Sequence, residues 1–286
     1  FYHVKKTLDI ISTSGLNDFI EGGFYRYTVD SEWKIPHFEK MLYDQAQMIS
    51  MYSQAYKLYK DEFYRDIVIE TIDFLNSKMS SKDGLYYAAM DADTDGEEGK
   101  YYSFNREELD LISKNTDFET FTSYYNIEIN NPWENDRYLL LPIRKNYEAD
   151  WLRVNNLSKS DLSFQKGIWE SNIIKIKDNR TKPRIDDKII VSWKSLAITG
   201  LIDAFDALNN KDYLIKAISM FEEKNTANNL PAEISIFANE GQEYKFAFVQ
   251  KGGGSANKSF LFQATPATLN PEKLKKFLHD KIISLG

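Results

Sequence analysis

The chain has 286 residues, a net charge of −7 and no cysteine. Acidic and basic residues are interspersed without a basic stripe, which argues against a nucleic-acid footprint, and no apolar run approaches the roughly 20 residues that cross a bilayer. The lack of thiols excludes disulfides, thiolate catalysis and any cysteine-ligated zinc or iron–sulfur cluster held by this chain. The length suits one large domain or two ordinary ones. No signal peptide is visible, a start at Phe1 leaves room for an upstream targeting segment, and cytoplasmic residence is the expectation.

Helical spacing predicts helices over 2–14, 36–59, 61–79, 105–113, 189–208 and 211–224, with Pro36 in the first turn of the second. Gly15, Gly22–Gly23, Asp83–Gly84, Gly96 and Asn209–Asn210 mark the intervening loops. Tyr86–Ala89 and Tyr101–Phe104 read as two strands of a hairpin that carries the acidic loop between them. After about residue 220 the texture changes. Glu233–Phe237 and Tyr244–Gln250 read as strands, KGGGSANK at 251–258 as a loop and Pro271–Leu285 as a closing helix. No linker rich in Pro, Gly or Ser separates the two parts. All five tryptophans lie at or before position 193. They suit either a groove for sugar rings and other flat ligands or packing between helices.

On a helix over 36–59, His37, Lys40 and Asp44 share one face, and Phe38 and Leu42 turn away. A histidine there can exchange a proton near neutral pH, with Glu39 or Asp44 fixing its tautomer. The same residues also suit a helix N-terminus where His37 and Glu39 satisfy caps and neighbours. In DADTDGEEG, Asp91, Asp93 and Asp95 alternate before Gly96 like the opening of a calcium loop, but the twelfth position is Tyr102 rather than Glu. The loop therefore presents carboxylates to a ligand or a helix end, or is a solvated turn. Asp187 is a candidate cap for the helix beginning near Ile189.

The runs GGFYRYTVDSEWKIPHFEKMLYDQA, MDADTDGEEGKYYSF and RIDDKIIVSWKSLAITGLIDAFDAL occur in that order. Over residues 1 to about 218 the chain thereby resembles the thioredoxin-linked family that includes spermatogenesis-associated protein 20. The resemblance implies an α/α toroid similar to N-acylglucosamine 2-epimerases and six-hairpin glycosidases, with carbohydrate-modifying activity as analogy from fold. It also implies a pocket at the toroid mouth. His37, Glu39, Asp44, Asp91 and Asp93 are its catalytic candidates, and Arg26, Trp33, Lys40, Tyr43, Glu97, Glu98, Asp187 and Trp193 its ligand-binding candidates. The chain departs from the pattern at Glu21, where the family usually has a third glycine, and at Lys194–Ser195, which replaces Asn-Gly.

KGGGSANK offers consecutive backbone amides for a carboxylate or phosphate, yet lacks the P-loop ending and the dinucleotide spacing. The stretch from FEEKNTANN to the final glycine resembles class I iron–sulfur fumarate hydratase. That resemblance assigns dicarboxylate binding to Gly252, Gly253, Gly254, Ser255 and Asn257, and implies a 4Fe–4S cluster in the intact family whose cysteines are absent here. The expected protein is mainly α. It is a truncated chimera in which a partial α/α toroid over 1–218 is joined to a small α+β appendage over 219–286, a fragment of a hydro-lyase that cannot work as a fumarase. Its expected partner is a sugar-like or dicarboxylate small molecule, with no nucleic acid, membrane or metal.

Overall fold

The computed structural model describes residues 2–222 and the strand segments 232–239, 243–250 and 259–264. The chain opens with α1 (Tyr2–Ser12) and the short strands β1 (Tyr27–Thr28), β2 (Pro36–His37) and β3 (Lys40–Met41). The hairpin α2 (Leu42–Tyr59) and α3 (Glu62–Lys78) comes next. After it lie β4 (Ala89–Met90), β5 (Asp93–Thr94) and β6 (Glu97–Glu98), then α4 (Arg106–Ile112), α5 (Phe118–Tyr124), α6 (Lys145–Val154) and α7 (Lys159–Asp178). The strand β7 (Ile185–Asp186) leads into a second hairpin, α8 (Val191–Leu208) and α9 (Lys211–Glu222). The last strands, β8 (Ala232–Asn239), β9 (Glu243–Gln250) and β10 (Ser259–Ala264), form an antiparallel sheet in the order β10-β9-β8, with Ile234 opposite Phe248 and Phe248 opposite Phe260. The protein is mainly helical and built from packed hairpins with small sheets, the class the sequence implied.

Two expectations need correction. Residues 36–41 are not the first turns of a helix. Pro36 and His37 pair with Thr28 and Tyr27, and Lys40 and Met41 pair with Met90 and Ala89, so α2 starts only at Leu42. The predicted hairpin of 86–89 with 101–104 is replaced by a smaller one inside the acidic loop, β5 to β6, with Asp93 opposite Glu98. Asp95 and Gly96 at its turn both have positive φ, 55° and 79°, the geometry that suits a two-residue turn between twisted strands. The closing helix expected at 271–285 lies outside the described residues.

The two hairpins are copies of one another in register. Lys57 reaches Asp206 and Gln54 donates to Asp203, both across a separation of 149 residues. The same offset relates the first residues Leu42 and Val191, and the caps Lys60 and Asn209, both left-handed at φ 54°, ψ 31°. α2 and α8 therefore run parallel, side by side, each followed by a returning helix, as neighbouring hairpins do in an α/α toroid. Gly200 permits the close approach. A Cβ there would lie 2.8 Å from the Ala46 carbonyl oxygen of α2. Leu42, Ile49, Tyr52, Ile72, Leu75, Ile198 and Leu201 fill the core between the hairpins. A second core gathers α4 to α7 around Trp169, which is fully buried against Phe121, Tyr124 and Tyr125 and donates from Nε1 to Thr116 Oγ1 at 2.7 Å.

Between these cores lies a buried ionic network. Lys40 is fully buried; its Nζ donates to Asp18 Oδ2 at 2.7 Å and to the Gly22 carbonyl at 2.8 Å, and lies 4.3 Å from the Phe74 ring centroid. Lys177, also buried, sits 2.6 Å from Glu21 Oε2 and over Tyr101 and Tyr102. Tyr101 and Lys78 donate to Glu21 Oε1 at 2.9 and 2.8 Å. Burial alone would raise the Asp18 carboxyl, but the ammonium groups of Lys40 and Lys177 more than offset it and hold Asp18 well below the usual carboxylate range. Glu21 is lowered in the same way, burial being outweighed chiefly by Lys177.

Asp18→Asn leaves the Lys40 ammonium buried without a counter-charge and is expected to cost about 3–5 kcal/mol, measured as a lowered urea midpoint. Because Asp18 and Glu21 titrate lower when folded than when unfolded, their stabilisation is present above about pH 4 and is lost as pH falls towards their folded values. The wild type should lose stability steeply on acidification, and Asp18→Asn less so.

Candidate functional site

The N-terminal ends of α2 and α8 lie beside the small sheet β3-β4-β7, and the candidate side chains collect around this end. β2 carries His37, whose ring stacks on Tyr27 across the β1–β2 pair with centroids 5.0 Å apart. The β5–β6 hairpin brings Glu98 to it, so that His37 Nδ1 and Glu98 Oε1 are 2.6 Å apart. The Glu98 carboxylate accepts from Nδ1, which leaves Nε2 as the ring nitrogen directed away from Glu98. Nε2 lies 3.7 Å from Glu39 Oε2, beyond hydrogen-bond reach, and the same Glu39 oxygen accepts from Arg26 Nη1 at 3.1 Å.

Arg26 also bonds Tyr43, which together with Glu39 raises the guanidinium further and keeps it charged. Tyr43 stands in the first turn of α2 and meets Trp193, in the first turn of α8, edge-on at 4.9 Å. Asp44 follows Tyr43. Its Oδ2 is buried with no hydrogen-bond partner, and burial first and the neighbouring Glu39 second, opposed by Arg26, push its carboxyl up to about 6. The result is a histidine held by one carboxylate, a second carboxylate clamped by arginine, and a carboxylic acid poised near neutral pH.

Other candidates fall elsewhere. Lys40 does not share a polar stripe with His37 and Asp44, because the strand it occupies turns it into the buried network. Asp91 faces Arg184, with Oδ2 3.9 Å from Nε, and Asp93 is exposed on β5. Glu97 accepts from Lys100 at 2.9 Å, away from its neighbour Glu98. Among the described residues no three His, Asp or Glu side chains converge as metal ligands, so the acidic loop is a hairpin that delivers Glu98. Asp187 is exposed and does not cap α8, whose N-cap is Ile190. Trp33 lies at the far tip of the β1–β2 connection. Gly252, Gly253, Gly254, Ser255 and Asn257 lie outside the described residues. Sequence reasoning missed Tyr27 as the shelf under His37 and Glu21 as a member of the ionic network. The Glu21 departure from the glycine pattern was its only signal.

Residues 194–286 match the family model described as fumarate hydratase (Fumerase). Spermatogenesis-associated protein 20 of Homo sapiens is 30% identical over 220 residues, covering 68% of this chain and 28% of that protein. The anaerobic class I fumarate hydratase of Escherichia coli K12 is 56% identical over 70 residues, 24% of this chain and 13% of the enzyme. A family 76 glycoside hydrolase from a bovine Bacteroides thetaiotaomicron strain is a structural neighbour at a TM-score of 0.42 and 14% identity, over 80% of this chain and 30% of that one. The chain thus joins a stretch similar to spermatogenesis-associated protein 20 to a stretch similar to fumarate hydratase. It spans about a third or less of the curated relatives it matches. No helix among the described residues is long and apolar enough to cross a membrane.

The Asp44 carboxyl is expected to titrate near pH 6. Glu39→Gln should lower its midpoint by removing a neighbouring negative charge, and Arg26→Met should raise it. Carboxyl-carbon NMR on aspartate-labelled protein measures both shifts.

Proposed function

We propose that residues 1–218 carry an acid–base site for a small polyhydroxylated carbonyl compound, a sugar, and that residues 219–286 form a separate unit, in a protein resident in the cytoplasm. The pairing of His37 with Glu98 at 2.6 Å carries this reading, together with the Asp44 carboxyl, which is raised to about 6 and interacts with Glu39, itself a neighbour of His37. His37 Nε2 takes the proton from the carbon next to the sugar carbonyl, and the electron pair moves to the carbonyl oxygen. The protonated Asp44 gives its proton to that oxygen, leaving an enediol. The proton held by His37 returns to carbon, and Asp44 recovers its own. Glu98 holds the imidazole and stabilises its cation, and Arg26 holds Glu39 in place beside it. Tyr27, Tyr43 and Trp193 supply flat faces against which a sugar ring can lie. The packing of α8 on α2 as a repeat of the first hairpin supports counting α8 with the first unit, although α9 runs on to Glu222 and the fumarate hydratase match begins within α8.

Incubation with a panel of aldoses and ketoses in heavy water should place deuterium on the carbon next to the carbonyl of at least one of them, read by proton NMR. His37→Asn and Asp44→Asn should each slow that exchange by roughly 10²–10⁴-fold. A folded wild type that exchanges none of them overturns the reading.

A second reading is favoured by the match over 194–286: residual dicarboxylate binding at Gly252–Gly254, Ser255 and Asn257. A 4Fe–4S cluster does not fit this chain, which offers no thiolate to hold it. Fumarate is therefore expected to broaden its own NMR lines in the presence of the protein without being hydrated, before or after anaerobic treatment with iron and sulfide. Hydration in that assay would contradict the assignment.

A further inference from the structure

A cleft of about 770 Å³, whose lining does not include His37, takes no part in the chemistry above. One wall is the loop joining β1 to β2, with Trp33 and Lys34; the other is the segment from Asn126 to Tyr147, with Glu128, Trp133 and Arg144. Its volume falls within the range of about 300–1,000 Å³ usual for ligand sites.

Both walls are held in shape without a ligand. The Asp30 carboxylate accepts from the backbone amides of Glu32, Lys34 and Ile35 at 2.9, 3.0 and 2.7 Å, which fixes the loop. Trp33 sits at φ 62°, outside the ordinary range for a large side chain, and its carbonyl accepts from Gly15 at 2.8 Å. On the far wall, the Trp133 amide donates to the Arg137 carbonyl at 2.7 Å, and the ring rests on Phe38 with centroids 5.4 Å apart. Two half-buried indoles thus line one cleft on scaffolds that keep them there.

The charges decide what class of ligand fits. The lining holds three carboxylates, Asp30, Glu32 and Glu128, and two cations, Lys34 and Arg144. Asp30 is occupied by backbone amides, and Glu32 lies 2.6 Å from the Lys34 ammonium. Glu128 accepts from the Asn131 amide at 3.3 Å, and both line the cleft. No excess of positive charge is left to draw a phosphate or a polyanion. Aromatic faces beside planar amide and carboxylate groups match the alternation of C–H faces and equatorial hydroxyls on a pyranose ring.

We infer that this cleft binds a neutral oligosaccharide through Trp33, Trp133 and Glu128. The site is separate from proton transfer at His37 and holds whether or not that reaction occurs. The full chain is titrated calorimetrically with series of neutral gluco-, manno- and chito-oligosaccharides, and with an acidic uronate series for contrast. Saturable binding is expected for a neutral series, stronger for the oligomers than for the monosaccharide. Trp33→Asn, which suits the left-handed backbone while removing the indole, should weaken it about tenfold or more, and Glu128→Ala should weaken it too. His37→Asn should leave this binding unchanged while slowing any deuterium exchange, so the two proposals fail separately. The inference is overturned by absence of saturable binding to any neutral series, by binding that survives both Trp33→Asn and Glu128→Ala intact, or by preference for the uronates.

Discussion

The placement of the strand that leads from His37 into α2 depends on the burial of the Lys40 ammonium. Lys40 is the first residue of β3, two positions before α2 begins, and three residues after His37. Its side chain runs inward to Asp18 and the Gly22 carbonyl, so the strand alternation that sends it inward sends Glu39 to the opposite face, towards Arg26. An ion pair of this kind gains little net energy over an apolar replacement, because desolvation consumes most of the attraction. What it fixes is geometry. The pair admits one register for β3 against β4, and that register sets where the acidic hairpin delivers Glu98.

The second half of the network ties this arrangement to the rest of the chain. Glu21 takes bonds from Lys78 at the end of α3, from Tyr101 after the acidic hairpin and from Lys177 near the end of α7. Three segments far apart in sequence meet on one carboxylate. Arg180 adds a neighbouring clamp, donating to the Lys100 and Tyr101 carbonyls and to Glu108 Oε1. The helices α4 to α7 are thereby fastened to the loop that positions the site, although their own core is separate.

The hairpins α2–α3 and α8–α9 were legible because their apolar residues recur at helical spacing and their connections carry Lys60–Asp61 and Asn209–Asn210. The start of α2 was not. Pro36 through Met41 satisfies a helical pattern locally, and only pairing with residues near 27 and 90 makes it extended. α7 escaped notice although Ser158 and Asp161 form a capping box at its start, because Gly167 and a polar middle obscure the periodicity. The repeat at 149 residues is carried by a few identities, such as Ile49 with Ile198, Ala55 with Ala204 and Tyr64 with Tyr213, too sparse to see without the packing. Of the site, the sequence marked His37, Glu39, Asp44 and Glu98, but their assembly requires the acidic hairpin to fold back on β2, which no local spacing encodes.

The parallel register of α2 and α8 has an electrostatic consequence at that assembly. Two helices of equal length running in the same direction place their positive ends together, one at Leu42 and the other at Val191. Side by side, such dipoles repel, and the returning helices α3 and α9 compensate along the shaft. At the ends, however, both first turns present their amide ends on the same side of the pair. The backbone thus adds partial positive charge at this end of the pair, a contribution that no side-chain substitution removes.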